Sequence, residues 1–316
     1  KGVCISHANL MSNMAIILDR MQIEVGVDSA VTWLPHYHDM GLVGSYLTAL
    51  YSQNTTYGLP PEEFALRPAR WLQLISEHCV TISGGPDFGF RMCAEKVTDE
   101  QLADLDLSCW RVAFTGAERI RPGTIRQFCE KFAPRGFRET SFFPCYGLGE
   151  STLMVTGGPP GRAPAIRRLS TSALMSQRVE FSVADRDLAE FVGCGKVPPG
   201  VNLAVIDTAT GQPRRENEIG EVHVAGSSVT DGYFQRTDLN RELFRTIDVD
   251  GGAGRYLRTG DLGFVSEGEL FITGRCKELI IVRGKNLAPE DIEQKISDAH
   301  DSLVVGGAVA FSAEIN

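Results

Sequence analysis

The chain has 316 residues, 43% of them hydrophobic and 22% charged, with a formal net charge of −9. That composition belongs to an ordinary globular protein of about two domains. It excludes a disordered tail, a collagen-like fibre and a coiled coil. The negative balance disfavours nucleic acid and anionic lipid as partners while leaving room for a local basic cleft.

The eight cysteines are scattered, with no C-x-x-C pair. A zinc ribbon, a redox dithiol or a disulfide framework is therefore not expected, and a reduced cytoplasmic setting is. No stretch reads as a signal peptide or a membrane span. The longest uncharged run, 40–61, is interrupted by Ser52-Gln53-Asn54-Thr55-Thr56 and ends in two prolines.

In chain order, the first pattern is a helix capped by Ser6 or Asn9, with Met11, Met14, Ile17, Leu18 and Met21 on one side. Residues 29–34 read as a strand, 40–51 as one apolar helix and 64–76 as an amphipathic helix. Strands follow at 80–83, 110–115 and 140–145, with a helix at 122–132 that has Pro122 in its first turn. This alternation predicts an α/β fold built on parallel strands. Beyond 155 comes a Gly/Pro-rich run, then an arginine-bearing stretch to 190 with weak helical pattern at 173–179. From 193 the texture is β-rich, with strands at 201–207, 221–225 and 269–273. Turns such as Thr210-Gly211, Asp250-Gly251-Gly252 and Glu267-Gly268 separate them. Arg275 opens a third unit: a strand at 279–282, a charged glycine turn at 283–286, and a helix at 289–296. Strand-like runs over 302–311 follow. Neither end has the texture of a tail, so the chain reads as a fragment.

Three segments carry chemistry. A strand ending in Val112-Ala113-Phe114 runs into Thr115-Gly116-Ala117-Glu118, and ligands of open α/β sheets sit beyond such strand ends. A second strand runs into Tyr146-Gly147-Leu148-Gly149-Glu150. Tyr146 suits stacking on a base, and Glu150 suits a hard divalent cation bridging phosphates. The third, Thr259-Gly260-Asp261 with Arg275 after the next strand, offers a carboxylate for ribose hydroxyls and a guanidinium for phosphate. Each alone reads equally as a structural turn. His36-x-His38-Asp39 offers two imidazoles and a carboxylate, open either to a metal or to a polar turn network.

Together and in this order, the segments resemble the adenylate-forming superfamily of acyl-CoA synthetases, peptide-synthetase adenylation domains and luciferases. The resemblance implies layered α/β sheets of a large domain with a small barrel-like β subdomain, then the start of a small α+β domain. The expected divisions are 1–192, with a branch-specific insertion at about 160–190, then 193–274 and 275–316. It implies that Lys1-Gly2-Val3 ends the phosphate loop and that Thr115, Gly116, Ala117 and Glu118 form the adenine-side loop. Tyr146, Gly147, Gly149 and Glu150 form the second nucleotide motif, with Glu150 holding Mg2+. Asp261 and Arg275 bind ribose, Lys277 is the hinge pivot, and Arg283-Gly284-Lys285 enters the site for the second half-reaction. Gly149 departs from the usual Thr, and the family's catalytic lysine falls beyond Asn316.

Trp33-Leu34-Pro35-His36-Tyr37-His38-Asp39-Met40-Gly41-Leu42, Gly84-Gly85-Pro86-Asp87-Phe88 and Val192-Gly193-Cys194-Gly195 are similar to the fatty acyl-AMP ligase branch. That likeness implies ATP-dependent activation of a fatty acid. The acyl group would then pass to an acyl carrier protein or a polyketide synthase carrier domain. It places His38 where acyl pocket and adenylate meet, and an apolar tunnel beside 40–51 and 84–90. The insertion is expected to restrain the small domain and disfavour CoA. An acyl-CoA synthetase and a catalytically incomplete binder are the alternatives. An amino-acid-activating domain is disfavoured by the absence of a Phe-Asp-x-Ser segment.

Overall fold

The computed structural model describes all residues except 1, 183–187, 250–251, 283–284, 298, 301–306 and 314–316. Lys1, Arg283, Gly284, Asp250 and Gly251 of the Asp250-Gly251-Gly252 turn, and the run at 302–306 therefore lie outside the described residues.

Helix His7–Met21 begins where Ser6 and Asn9 form a reciprocal capping box. It buries Met14, Ile17 and Met21 but leaves Met11 at its exposed edge. Asn13 is buried on the same face. It clamps both backbone groups of Met154, donating to the carbonyl at 2.8 Å and accepting the N–H at 3.0 Å.

Six strands form the central sheet: β1 (Ser29–Thr32), β2 (Thr55–Gly58), β3 (Ile82–Gly85), β4 (Val112–Thr115), β5 (Phe142–Gly147) and β6 (Met154–Gly157), in the order β2-β1-β3-β4-β5-β6. The first five are parallel and β6 returns antiparallel to β5. Helices pack on the sheet through an aromatic cluster. Trp71, Phe90, Trp110, Phe128 and Phe142 are essentially without solvent exposure, and burial of each is worth roughly 1.5–3 kcal/mol. The two indoles enter this core because each N–H has a partner: Trp71 donates to Ser83 Oγ at 2.8 Å and Trp110 to the Val112 carbonyl at 3.0 Å.

Pro122 opens helix Pro122–Phe132 as expected. The segment 64–76 is two helices, Pro61–Leu66 and Ala69–Glu77. Pro68 forces the preceding Arg67 to φ −139°, ψ 74°, outside the helical region. The segment 40–51 is not one α-helix either. It runs Asp39–Gly41, then a π-helical turn at Leu42–Leu47, then Thr48–Ser52. The Thr48 hydroxyl donates to the Val43 carbonyl five residues back at 2.7 Å, which supports the wider turn. The weak pattern at 173–179 gives only the short helix Thr171–Leu174.

Strands β7 (Ile166–Ser170) and β8 (Leu188–Val192) form an antiparallel pair within the expected insertion. An Arg126–Glu190 ion pair at 2.7 Å ties it to helix Pro122–Phe132. The β-rich region is an antiparallel sheet of β9 (Val201–Ile206), β10 (Gly220–Gly226), β11 (Phe244–Val249), β12 (Gly252–Ser266) and β13 (Glu269–Arg275). Long β12 pairs with β10, β11 and β13, and slips register between Leu262 and Gly263, next to Asp261. A hairpin of β14 (Ile280–Val282) and β15 (Lys285–Leu287) follows, then helix Pro289–Ser297. Residues 307–313 form no strand, against the expectation for 302–311. The insertion meets the third segment where Leu174, Phe191, Ile219, Leu262, Leu279 and Ile292 line a small apolar cavity of about 80 Å³. Among the described residues no helix is long and apolar enough to cross a membrane.

Candidate active site

The carboxyl ends of β4 and β5 open on a cavity of about 280 Å³. His38, Ala117, Tyr146, Gly147, Gly149, Glu150 and Arg275 line it, together with Asp39, Met40, Gly44 and Phe114. Sequence positions more than two hundred residues apart thus meet in one hollow, as ligand sites at strand ends of α/β sheets do.

The best-defined cluster is at the rim. Tyr146 leaves β5 and its hydroxyl donates to Asp261 Oδ2 at 2.6 Å. Arg275 Nε donates to Asp261 Oδ1 at 2.8 Å from the directly opposed position on β13. Burial, and then the negative charge of Asp261, hold the Tyr146 phenol well above its ordinary value, so it remains a donor. Asp261 likewise holds the Arg275 guanidinium in its charged form. The turn carrying Asp261 is fixed from behind. Thr259 Oγ1 accepts the Asp261 N–H at 3.0 Å and donates to the Val222 carbonyl at 2.7 Å. Buried Glu221 accepts the Gly260 N–H at 3.2 Å and pairs with Arg258 at 2.8 Å.

Glu150 stands on a 3-10 turn, Gly149–Ser151, directly after β5. Its carboxylate accepts the Tyr233 hydroxyl, and its backbone carbonyl accepts the Thr230 N–H at 2.9 Å. Burial and the Glu150 charge raise the Tyr233 phenol, which therefore stays protonated and keeps donating. Sequence reasoning missed Tyr233 and Glu221. Neither lies in a glycine-rich turn, and each acts through a partner distant in sequence.

His38 caps the short helix that follows it, with Nδ1 2.9 Å from Asp39 Oδ1. A Cβ at Gly149 would lie 3.2 Å from Asp39 Oδ2, a close approach to the tip of a flexible side chain. His36 is exposed against Tyr37 and lines no part of this cavity. Among the described residues no group of three His, Cys, Asp or Glu side chains is arranged to hold a metal by itself.

Not every expected residue faces the cavity. Thr115 is buried and its hydroxyl has no partner, and Gly116 packs against the Cys145 carbonyl. Glu118 turns away, its Oε1 accepting the Phe88 N–H at 2.7 Å in the first turn of helix Asp87–Lys96. Ala117 is the member of that loop at the cavity. It adopts φ +66°, a conformation costing a side chain roughly 1–2 kcal/mol and typical of functional loops. Asp261 acts at the rim through Tyr146 and Arg275. Lys277 is exposed two residues past Arg275 and lines no described cavity. The segment 84–90 does not line the hollow. Gly85 and Gly89 instead make room for the Trp33 indole, where an added Cβ would come within 2.5 Å and 2.6 Å of the ring. Cys145 does line it, but burial pushes its thiol up to about 12, which leaves it an inert wall group near neutrality.

The family of AMP-binding enzymes matches residues 1–234, and the chain belongs to that family, with its mixed α/β adenylate-forming fold. A medium-chain-fatty-acid–[acyl-carrier-protein] ligase, JamA, of Moorena producens is 39% identical over 321 residues, covering all of this chain and 54% of that protein. A 4-hydroxyphenylalkanoate adenylyltransferase of Mycobacterium tuberculosis is 38% identical over 314 residues, covering 98% of this chain and 51% of that protein. The structure of a fatty acyl-adenylate ligase from L. pneumophila, in complex with acyl adenylate and pyrophosphate, superposes with a TM-score of 0.84 at 37% identity. That match covers all of this chain and 55% of the other. The chain thus spans about half the length of these relatives.

Proposed function

We propose that this chain provides the nucleotide- and acyl-binding part of a fatty acyl-AMP ligase. The observation that carries the reading is Tyr146, Asp261 and Arg275 locked together at the mouth of a cavity that also holds Glu150. The solved relative bound to acyl adenylate and pyrophosphate supports it.

In this reading ATP lies across the ends of β4 and β5. The loop Thr115-Gly116-Ala117-Glu118 and Tyr146 bound the adenine, with Ala117 and Tyr146 in contact and the others shaping the loop. Asp261 accepts the ribose hydroxyls, since a carboxylate has acceptor capacity beyond its two present bonds, and Arg275 balances its charge. Glu150, with Asp39 lining the same cavity, suits Mg2+. That cation takes one or two protein carboxylates and completes its shell with phosphate oxygens and water, which fits a cavity lined by two carboxylates. When bound, the ion neutralises charge on the departing pyrophosphate. Tyr233 keeps the Glu150 carboxylate aimed at the phosphates.

The fatty carboxylate attacks the α-phosphorus, pyrophosphate leaves, and an acyl adenylate forms beside His38. Water must be kept away from that anhydride. The apolar walls Met40, Phe114, Leu153 and Met154 do so while taking up the chain at ~0.8 kcal/mol per buried methylene. The acyl group then passes to the phosphopantetheine thiol of an acyl carrier protein or carrier domain. Residues 1–192, 193–274 and 275–316 serve as α/β part, β subdomain and start of the small domain. Lys277 is the hinge pivot, and the insertion restrains the small domain through the apolar contacts described above. The protein that contains this chain is expected to form acyl adenylate from ATP and medium-chain acids, read by mass spectrometry. It should acylate carrier protein in preference to CoA when both are offered. Equal or greater yield of acyl-CoA would favour the acyl-CoA synthetase reading.

A further inference from the structure

Behind the apolar walls of the cavity lies further space. A second, narrow recess of about 30 Å³ shares Met21, Gly44 and Phe114 with the main cavity. Its floor is one face of the central sheet. Ala30 pairs with both Thr56 and Ile82, so these three residues stand in a row on the same side. Its roof is the π-helical turn and the helix after it, which contribute Gly44, Ser45, Thr48, Ala49 and Ser52.

Most of the hydroxyls here are spent within the protein. Ser45 donates to Thr32 Oγ1 at 3.0 Å, Thr48 to the Val43 carbonyl at 2.7 Å and Ser52 to the Thr48 carbonyl at 2.8 Å. Two groups are not. Asn54 Oδ1 and Thr56 Oγ1 are buried, line the recess and have no hydrogen-bond partner. An unpaired buried polar atom is costly, and the great majority in folded proteins are satisfied. An alkyl terminus in this recess would seal both atoms away from water. A tail bearing a hydroxyl would pair with both, its O–H donating to Asn54 Oδ1 and its oxygen accepting from Thr56.

We propose that the acyl cavity ends in a polar recess, framed by Asn54 and Thr56, that selects acids whose far end carries a hydroxyl. The proposal rests on the acid-activating reading above and adds the substrate class to it. A recess of this size also holds one water molecule, and a trapped water would satisfy both atoms without any selection.

The test is equilibrium binding, which needs no turnover. Titration calorimetry compares 5′-O-(N-acylsulfamoyl)adenosines carrying plain and ω-hydroxylated acyl chains of equal length, in a series from six to twelve carbons. At one chain length the hydroxylated analogue is expected to bind about tenfold more tightly, the value of one to two newly made hydrogen bonds. Thr56→Val alone should lower that ratio, and Thr56→Val with Asn54→Leu should bring it to one. Because the readout is a ratio within each variant, general destabilisation does not imitate the effect. Equal affinity for the two analogues at every length overturns the polar recess while leaving the adenylate-forming reading intact. Binding of neither analogue overturns both.

Discussion

The bond between Tyr146 and Asp261 joins the α/β sheet to the β-rich sheet across 115 positions of sequence, and its strength can be worked out and measured. The donor is a phenol held in its protonated form. The acceptor is a carboxylate whose residue is 7% exposed, and the separation is 2.6 Å. A short bond to a buried charged acceptor is worth roughly 1.5–3 kcal/mol. Arg275 bonds the same carboxylate, but its side chain is 57% exposed, so solvent screening limits that pair to roughly 0–1 kcal/mol. The tyrosine bond should therefore dominate. A double-mutant cycle with Tyr146→Phe, Asp261→Asn and the combined variant, followed by urea denaturation near neutral pH, should give a coupling energy of ~2 kcal/mol. Arg275→Gln in the same assay should change stability by ~1 kcal/mol or less. Additivity of Tyr146→Phe and Asp261→Asn to within ~0.5 kcal/mol would refute the reasoning, as would a larger effect from Arg275→Gln than from Tyr146→Phe.

Three further outcomes are expected. Glu150→Ala, in the protein that contains this chain, should slow ATP–pyrophosphate exchange by ~10²–10³, the loss typical of one electrostatic contact aimed at the reacting group; near-normal exchange would remove Glu150 from the mechanism. Gly147→Ala should lower stability by ~1–3 kcal/mol, because its Cβ would fall 1.9 Å from the Leu153 carbonyl oxygen and the β5–β6 turn must move. A melting temperature unchanged by this substitution would show that the turn yields freely. Asp87 is buried, and burial raises its carboxyl from 3.8 to about 6 despite bonds from the Arg121 N–H and the Thr124 hydroxyl. The folded state therefore binds the proton more tightly than the unfolded chain. The resulting stabilisation is full below about pH 4 and is lost as pH rises through about 6, on the order of 3 kcal/mol in all. Asp87→Asn should flatten the stability profile across that window, and a profile that keeps its slope would assign the titration to another group.

Local signals carried a good part of this protein. Pro122 begins its helix at the position where a missing N–H costs nothing, and Ser6 with Asn9 builds a cap from neighbours three residues apart. The strand-then-glycine segments at 112–118 and 142–150 do run into the cavity mouth, because a turn after a strand is specified by the residues within it. Pro68 was equally local, yet the apolar periodicity of 64–76 masked the break it imposes on Arg67.

The remainder needed the fold. Glu118 and Ala117 are adjacent in the chain, but the helix beginning at Asp87 draws the glutamate away and leaves the alanine at the cavity. Tyr233 reaches Glu150 from 83 positions away, and Glu221 braces the Asp261 turn from the neighbouring strand. Asn54 and Thr56 sit in the polar run that interrupts the stretch 40–61, and only the pairing of β2 with β1 under the π-helical turn brings them to the recess. Amino-acid order determines backbone turns, caps and which face is apolar, since these depend on residues a few positions apart. Which distant carboxylate meets which phenol, and which polar atom is left without a partner, depends on sheet register and packing that no short window contains.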